Sequence, residues 1–140
     1  MTARYLLDAS ALYPLALSLR GKLLNYSDLM AVLDLTVYEV GNAVWKECKR
    51  GRIRDPRALA VAFAELFSNV ETVKLESRAI AEVLELALAE EITFYDAAYL
   101  YAARKLGMKL VTEDSDLKKY PEAVSVSELV AELERSGLSG

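Results

Sequence analysis

The stretch LVTEDSDLKKY, residues 110–120, changes within a few positions from a short apolar run to a turn rich in acids. The acids are Glu113, Asp114 and Asp116. The apolar run is typical of a buried strand, and Asp and Ser are common in the turns that follow strands. The stretch therefore predicts a buried strand that ends in an acidic turn. What that turn does depends on where the chain places its other carboxylates.

Five short segments with the composition of strands alternate with helical segments along the chain. The predicted strands are Tyr5–Asp8, Ala31–Leu35, Val70–Leu75, Lys109–Thr112 and Ala123–Val126. The predicted helices are Ala11–Ser18, Val37–Arg50, Pro56–Phe67, Arg78–Glu90, Phe94–Leu106 and Glu128–Arg135, with Gly51 and Gly107 where two of them should stop. Mostly apolar strands that alternate with helices indicate an α/β fold, with a largely parallel sheet covered on both faces.

The composition sets limits on the class of protein. A chain of 140 residues with 54% hydrophobic and 27% charged residues is expected to be one globular domain, residues 1–140. We expect neither a membrane span nor a signal peptide, and a cytoplasmic location is the default. The single Cys48 excludes an intrachain disulfide. The absence of glutamine leans toward a thermophilic source.

The chain contains no histidine, which removes the commonest general base and the commonest transition-metal ligand. Zinc sites and Ser-His-Asp catalysis are therefore improbable. Carboxylate oxygens remain, and these suit Mg²⁺ or Mn²⁺. The net charge of −4 gives no general attraction to nucleic acid, so any such binding would need a local basic patch.

Several carboxylates are predicted to meet at the carboxyl edge of the sheet, where ligands bind in such folds. They are Asp8 and Asp114 after strands, Asp116 two residues on, and Glu39 and Asp96 near the starts of helices that begin at this edge. Each also has a structural interpretation: Asp8 as a helix cap, and Thr36–Glu39 and Thr93–Asp96 as capping boxes. Carboxylates about 6 Å apart repel by roughly 2–3 kcal/mol per pair at an effective dielectric of about 20. A divalent cation would remove that repulsion, so the set predicts a metal site.

In this order, LLDAS, YEVGNAVWK, FYDAAYLYAAR and LVTEDSDL resemble the motifs of the PIN-domain nuclease family, and more narrowly those of VapC-type toxins of toxin–antitoxin pairs. The resemblance implies a three-layer fold whose five-stranded parallel sheet has the order 3-2-1-4-5. It also implies Mg²⁺- or Mn²⁺-dependent endoribonuclease activity, inhibition by a cognate VapB-type antitoxin, and a homodimer.

Carried over position by position, the resemblance assigns roles to individual residues. The catalytic quartet would be Asp8, Glu39, Asp96 and Asp114; the metal ligands would be Asp8, Asp96, Asp114 and Asp116; and the supporting polar groups would be Ser10, Asn42 and Thr112. Glu113 departs from the pattern, and we expect its side chain to point away from the metal.

The predicted helix that carries Glu39 also suggests how an acidic protein could attract RNA. Lys46, Lys49 and Arg50 follow Glu39 down one helical face and form a basic track, although they are equally well explained as a solvated face. Trp45 is interpreted as a packing residue, and Tyr95, Tyr99 and Tyr101 are assigned to core or dimer contacts. The apolar segment Leu12–Leu24 is a weak candidate for an antitoxin groove.

Three alternatives to the toxin remain open at this point. A PIN-domain ribonuclease could have a housekeeping role in RNA processing, or the domain could bind without cutting. A phosphoacceptor receiver domain shares the five-stranded layout, but it requires paired acids after the first strand and a lysine after the fifth, which this chain lacks.

Overall fold

The computed structural model describes residues 3–136 and shows one five-stranded sheet between two layers of helices. The ends of the predicted domain, residues 1–2 and 137–140, lie outside the described residues. The strands are β1 Tyr5–Leu7, β2 Met30–Leu33, β3 Glu71–Val73, β4 Lys109–Val111 and β5 Ala123–Val124. All four neighbouring pairs are parallel, and the order is β3-β2-β1-β4-β5.

This strand order confirms the predicted fold and separates it from the receiver-domain alternative. A receiver domain has the order 2-1-3-4-5, in which the third strand adjoins the first. Here β4 is the second neighbour of β1, paired from Tyr5 with Lys109 to Leu7 with Val111. The chain therefore winds outward from β1 in one direction and then returns to its other side, which places the topological switch point between β1 and β4.

Successive residues of the central strands point to opposite faces of the sheet, as the pleat requires. Leu7, Val32 and Val111 belong to the core on one face, and Leu6 and Leu110 belong to the core on the other. All of these side chains are buried. The strands therefore needed apolar residues at almost every position, which explains why their sequence does not alternate.

Seven α-helices and two 3-10 segments cover the described part of the sheet. The α-helices are α1 Ala9–Leu19, α2 Asp34–Lys49, α3 Pro56–Asn69, α4 Ile80–Glu90, α5 Phe94–Leu106, α6 Ser115–Lys118 and α7 Val126–Arg135. Helices α1, α2, α3 and α7 pack on one face, and α4, α5 and α6 pack on the other. None of the helices in residues 3–136 is long and apolar enough to cross a membrane.

The predicted boundary between the second strand and its helix was wrong by three residues. Strand β2 ends at Leu33 and α2 begins at Asp34, where an acid in the first turn is favoured by the helix dipole. The Thr36 hydroxyl accepts a hydrogen bond from the Leu33 backbone N–H at 3.1 Å, so Thr36 is not the N-cap. The predicted capping box of Thr36 and Glu39 is thus absent, and the Glu39 carboxylate is available for another contact.

Two structured segments were not predicted. The 3-10 segment Arg20–Leu29 follows α1 and buries Leu23 and Tyr26, and α6 forms a single turn after the acidic stretch. A second 3-10 turn, Ser77–Ala79, takes the start of the predicted fourth helix. Helix α5 has its predicted bounds.

Two glycines provide a matched test of backbone conformation. Gly107 ends α5 with φ +67°, whereas Gly41 lies inside α2, and a Cβ atom at either position would meet no atom within 4 Å. Steric contacts therefore do not distinguish the two sites, and only the backbone conformation does. We predict that Gly107→Ala destabilises the protein by about 1–2 kcal/mol, whereas Gly41→Ala stabilises it by about 0.5–1 kcal/mol.

Urea unfolding of the two variants beside the wild type measures both changes. Equal effects of the same sign would contradict the left-handed conformation at Gly107.

Candidate metal centre

Asp8 lies immediately after β1, and its buried carboxylate is held on both oxygens by hydrogen bonds. The Ser10 hydroxyl donates to Oδ1 at 2.6 Å, the Ala11 backbone N–H donates to Oδ1 at 3.1 Å, and the Thr112 hydroxyl donates to Oδ2 at 2.5 Å. Asp8 is thus also the helix cap that its sequence suggested. Three donors restrict rotation of the carboxylate, so its remaining lone pairs have a fixed direction.

Thr112 and Ser10 tie the end of β1 to the acidic turn that follows β4. The Thr112 hydroxyl accepts the Asp114 backbone N–H at 3.0 Å, and the Ser10 hydroxyl accepts the Glu113 backbone N–H at 2.9 Å. Both hydroxyls therefore donate to Asp8 and accept from the turn. The two loops at the switch point form one hydrogen-bonded unit, joined by Ser10 and Thr112, and the supporting role of these two residues in a metal site stays a prediction.

The acidic turn itself separates its carboxylates into two groups. Asp114 caps α6 by accepting the Asp116 backbone N–H at 2.8 Å. Glu113 instead accepts hydrogen bonds from Lys118 Nζ at 2.8 Å and from the Val126 backbone N–H at 2.7 Å, and these bonds lower the pKa of its carboxyl group. The Glu113 carboxylate is thus engaged by Lys118 and Val126 rather than by the acidic cluster, and its direction away from a bound metal stays a prediction.

Asp96, in the first turn of α5, lies beside the acidic turn. Its backbone N–H donates to the Thr93 hydroxyl at 3.1 Å, which fixes the start of α5 at the carboxyl edge. One carboxylate oxygen from each of Asp96, Asp114 and Asp116 lies within 4.8 Å of the others. At this separation a small inward movement of the side chains would bring three oxygens to one Mg²⁺ or Mn²⁺ ion, whose oxygen ligands lie about 2.0–2.2 Å away.

The direction of the Glu39 carboxylate is set by a hydrogen bond from Tyr99 that the sequence did not predict. The Tyr99 hydroxyl donates to Glu39 Oε1 at 2.6 Å and lies 2.7 Å from the Thr36 hydroxyl oxygen. Because Tyr99 has one proton and gives it to Glu39, the Thr36 hydroxyl donates to Tyr99, while accepting from Leu33. This chain of donors directs Glu39. The signal was present in the spacing, since Tyr99 follows Asp96 by three residues and shares its side of α5.

The convergence of these acids is visible in the electrostatics of Asp96. Burial raises the pKa of Asp96 to about 6, with further contributions from Asp114, Asp116, Asp8 and Glu39. Burial also raises the pKa of Asp8, against the opposing effect of its three hydrogen bonds. Among the side chains that the structure describes, no lysine or arginine forms an ion pair with any of the five acids. The cluster therefore carries uncompensated negative charge, and its all-oxygen donor set fits a hard divalent cation.

The other predicted site residues lie on the exposed side of α2. Asn42, Lys46 and Lys49 are exposed, and Arg50 forms an ion pair with Glu47 at 3.2 Å. Asn42 makes none of the described hydrogen bonds to the acids. The structure thus brings Asp8, Glu39, Asp96, Asp114 and Asp116 together, with Ser10 and Thr112 behind Asp8.

The aromatic residues divide differently from the prediction. Tyr99 is buried, as expected of a core residue, and Tyr101 is half-buried. Trp45 is 58% exposed, and Tyr95 is 57% exposed. Trp45 was interpreted as a packing residue, but its side chain lies off the buried side of α2, which is formed by Thr36 and Val40.

Repulsion among the acids predicts that Asp96→Asn raises the free energy of unfolding, by an amount that depends on pH. A pKa raised from 3.8 to about 6 means that the folded protein without metal loses stability as pH rises through this range. In EDTA at pH 8, Asp96→Asn should therefore stabilise the protein by about 1–2 kcal/mol, a figure already reduced for solvent screening. At pH 4 the gain should be small.

Urea unfolding at the two pH values measures the gain, with Glu85→Gln, an exposed acid on α4, as the control for loss of one charge. A variant no more stable than the wild type at pH 8 would contradict the proposed repulsion.

Comparison with known proteins places this geometry in a family. The family model described as PIN domain matches residues 5–123. Exonuclease VapC9 of Pyrobaculum aerophilum is 40% identical over 134 residues, which are 95% of this chain and 98% of the relative. Ribonuclease VapC3 of the same organism is 40% identical over 96 residues, 66% of this chain and 72% of the relative.

Solved structures agree with the sequence relatives. The crystal structure of PAE2754 from Pyrobaculum aerophilum has a TM-score of 0.86 and 38% identity, and covers 96% of this chain and 99% of that one. A toxin–antitoxin complex from Klebsiella pneumoniae has a TM-score of 0.59 and 19% identity, covers 87% and 97%, and shares the fold. The chain belongs to the PIN domain family and, within it, to the VapC proteins.

Proposed function

We propose that this protein is a Mg²⁺- or Mn²⁺-dependent endoribonuclease, the toxin of a VapBC-type toxin–antitoxin pair that acts in the cytoplasm. The observation that carries the proposal is the approach of Asp96, Asp114 and Asp116 to within 4.8 Å, beside Asp8 and Glu39 and without a cationic side chain among the described ion pairs. The names of the two relatives, an exonuclease and a ribonuclease, support a nuclease.

In this proposal most of the acids are ligands of the cation, and Glu39 has a separate catalytic role. Asp8, Asp96 and Asp114 hold the ion, Asp116 is an accessory ligand, and Glu39 acts from the side of α2. A divalent cation in this position would activate water and offset the charge of the phosphodiester. Ser10 and Thr112 fix the direction of the Asp8 carboxylate, and Tyr99 fixes that of Glu39. Asn42, exposed on α2 next to Glu39 in the helix, is available to contact the substrate.

The basic residues that follow Glu39 on α2 are proposed to bind the RNA backbone. Lys46 and Lys49 are exposed and form none of the described ion pairs, whereas Arg50 shares Glu47 with Arg52. We therefore assign the phosphate contacts mainly to the two lysines, with Arg50 in a secondary role.

An antitoxin partner is proposed to occupy a groove that reaches the residue after Asp8. A cavity of about 250 Å³ lies between α1, α2 and α3. Its walls are largely apolar, with Glu47 and Arg52 as the charged residues: Ala9, Leu12, Tyr13, Val40, Ala43, Val44, Glu47, Arg52, Ile53, Leu59 and Phe63. Because Ala9 directly follows Asp8, an apolar antitoxin segment in this groove would end beside the acids. A housekeeping ribonuclease would not need such a partner.

A homodimer is proposed through the opposite layer of helices. Ile80, Leu84 and Leu88 recur every four residues on α4 and are 48%, 48% and 72% exposed. Residues four apart share one side of a helix, so these side chains form an aliphatic stripe. A second copy of the chain would bury this stripe.

The proposed activity is tested with RNA that has no ends. The purified protein should linearise a circular single-stranded RNA in Mg²⁺ or Mn²⁺, and EDTA should abolish the reaction. Asp8→Asn and Asp96→Asn should each lower the rate by at least about a hundredfold, because the cation loses a charged ligand. Gel analysis separates linear from circular RNA.

Cleavage of linear RNA alone would indicate an exonuclease, the activity in the name of VapC9. Undiminished activity in either variant would contradict the assignment of the acids.

The hydrogen bond from Tyr99 to Glu39 predicts a specific defect in Tyr99→Phe. Loss of the hydroxyl leaves Glu39, a member of the catalytic quartet, undirected, so the rate at saturating Mn²⁺ should fall about tenfold. The Mn²⁺ concentration for half-maximal cleavage should change little, because the ion-binding carboxylates remain. Tyr101→Phe, which removes from the same helix a hydroxyl bonded to Glu82 of α4, is the matched control. An unchanged rate at saturating Mn²⁺ in Tyr99→Phe would contradict the positioning role.

A further inference from the structure

The outer side of α2 carries two exposed aromatic rings that the acidic cluster does not explain. Tyr38 is 77% exposed, and Trp45 is 58% exposed. Residues seven positions apart differ by only about 20° around a helix, so both rings project from one side, about 10 Å apart along the axis. Thr36 and Val40 face the core from the other side. The rings therefore form a ridge directed away from the protein.

Polar and basic residues surround this aromatic ridge. Asn42 lies between the two rings in the helical sequence, and Lys46 and Lys49 are exposed on the adjoining turns. The ridge begins at Tyr38, next to Glu39 of the acidic cluster. A surface that combines aromatic rings with cations is suited to single-stranded nucleic acid, because bases stack on the rings while phosphates contact the cations.

The other helix of the cluster repeats the arrangement. Tyr95, 57% exposed, directly precedes Asp96 as Tyr38 directly precedes Glu39. Exposed tyrosines thus directly precede an acid of the cluster on both α2 and α5.

We propose that Tyr38 and Trp45 form a base-stacking subsite on α2, in which they stack unpaired bases of the RNA substrate while Lys46 and Lys49 contact its phosphates. This inference rests on the proposed ribonuclease function and adds a binding subsite to it. At about 3.4 Å per stacked nucleotide, the ridge spans roughly three nucleotides. Paired bases in a duplex are already stacked on their neighbours and would leave the rings unused.

Charge favours RNA over a second copy of the chain as the occupant of this ridge. A two-fold contact brings the same patch of both copies together, so Lys46 and Lys49 would face their own counterparts across it. The aliphatic stripe of Ile80, Leu84 and Leu88 carries no such penalty. RNA phosphates supply the opposite charge that the two lysines need.

The single tryptophan makes the protein its own reporter, because Trp45 is the only one in the chain. We would titrate the Asp8→Asn protein, which prevents cleavage during the measurement, with a single-stranded 12-nucleotide RNA. Controls are its blunt duplex and an abasic ribose-phosphate 12-mer of equal charge. Stacking predicts strong quenching of Trp45 fluorescence by the single strand and little by either control.

Substitutions then separate stacking from charge. Tyr38→Ala with Trp45→Ala should weaken single-strand binding by about tenfold or more per ring, measured by anisotropy of labelled RNA, with an unchanged salt slope. Lys46→Ala with Lys49→Ala should reduce the slope of log K against log salt by about 0.7 per lysine. Val61→Ala, which removes an exposed apolar side chain from α3, should leave the affinity unchanged.

Each other result overturns the inference. If the Asp8→Asn protein binds RNA and the aromatic double variant binds equally well, the stacking surface is wrong while the ribonuclease proposal stands. A change in oligomeric state on sedimentation, with RNA affinity intact, would identify the ridge as a self-association surface. If wild-type protein neither binds nor cuts any RNA, the ribonuclease function fails first and the stacking surface fails with it.

Discussion

Repulsion between carboxylates at one edge of the sheet is the constraint on which the rest of this structure depends. The five acids come from four separate parts of the chain. Four of them raise the pKa of the fifth, Asp96: these are Asp114, Asp116, Asp8 and Glu39. A small domain has only about 5–15 kcal/mol of net stability. The repulsion opposes folding when no metal is bound. A divalent cation bound among the carboxylates would offset it, which gives a reason for the cluster.

The parallel sheet explains how distant acids reach the same point. Strands β1 and β4 are neighbours at the switch point, so the residues that follow them, Asp8 and Asp114, leave the sheet side by side. Helix α5 runs back toward the start of β4, which puts its first turn and Asp96 at the same edge. The hydroxyls of Ser10 and Thr112 then join the two loops, which gives a flexible acidic turn a defined geometry.

The sequence was sufficient for the parts of the site that follow from strand ends. Asp8, Asp96 and Asp114 could be placed because parallel strands share a carboxyl edge, and Glu113 because it broke the family pattern. Tyr99 was missed because an apolar helix gives a tyrosine ordinary reasons to be buried, and its hydroxyl contact with Glu39 joins residues 60 positions apart. Trp45 was interpreted as a packing residue because a large apolar ring is usually covered, whereas here its side chain lies off the buried side of α2. Such errors arise where tertiary contacts decide between two patterns that are locally equivalent.

The central claim is that a divalent cation accounts for the gathering of the acids, and anomalous scattering from crystals soaked in Mn²⁺ tests it most directly. The account predicts a manganese peak within bonding distance of oxygens of Asp8, Asp96 and Asp114, and no peak in crystals of Asp96→Asn at the same Mn²⁺ concentration. A wild-type crystal with these carboxylates in place, millimolar Mn²⁺ in the solvent and no peak among them would contradict it.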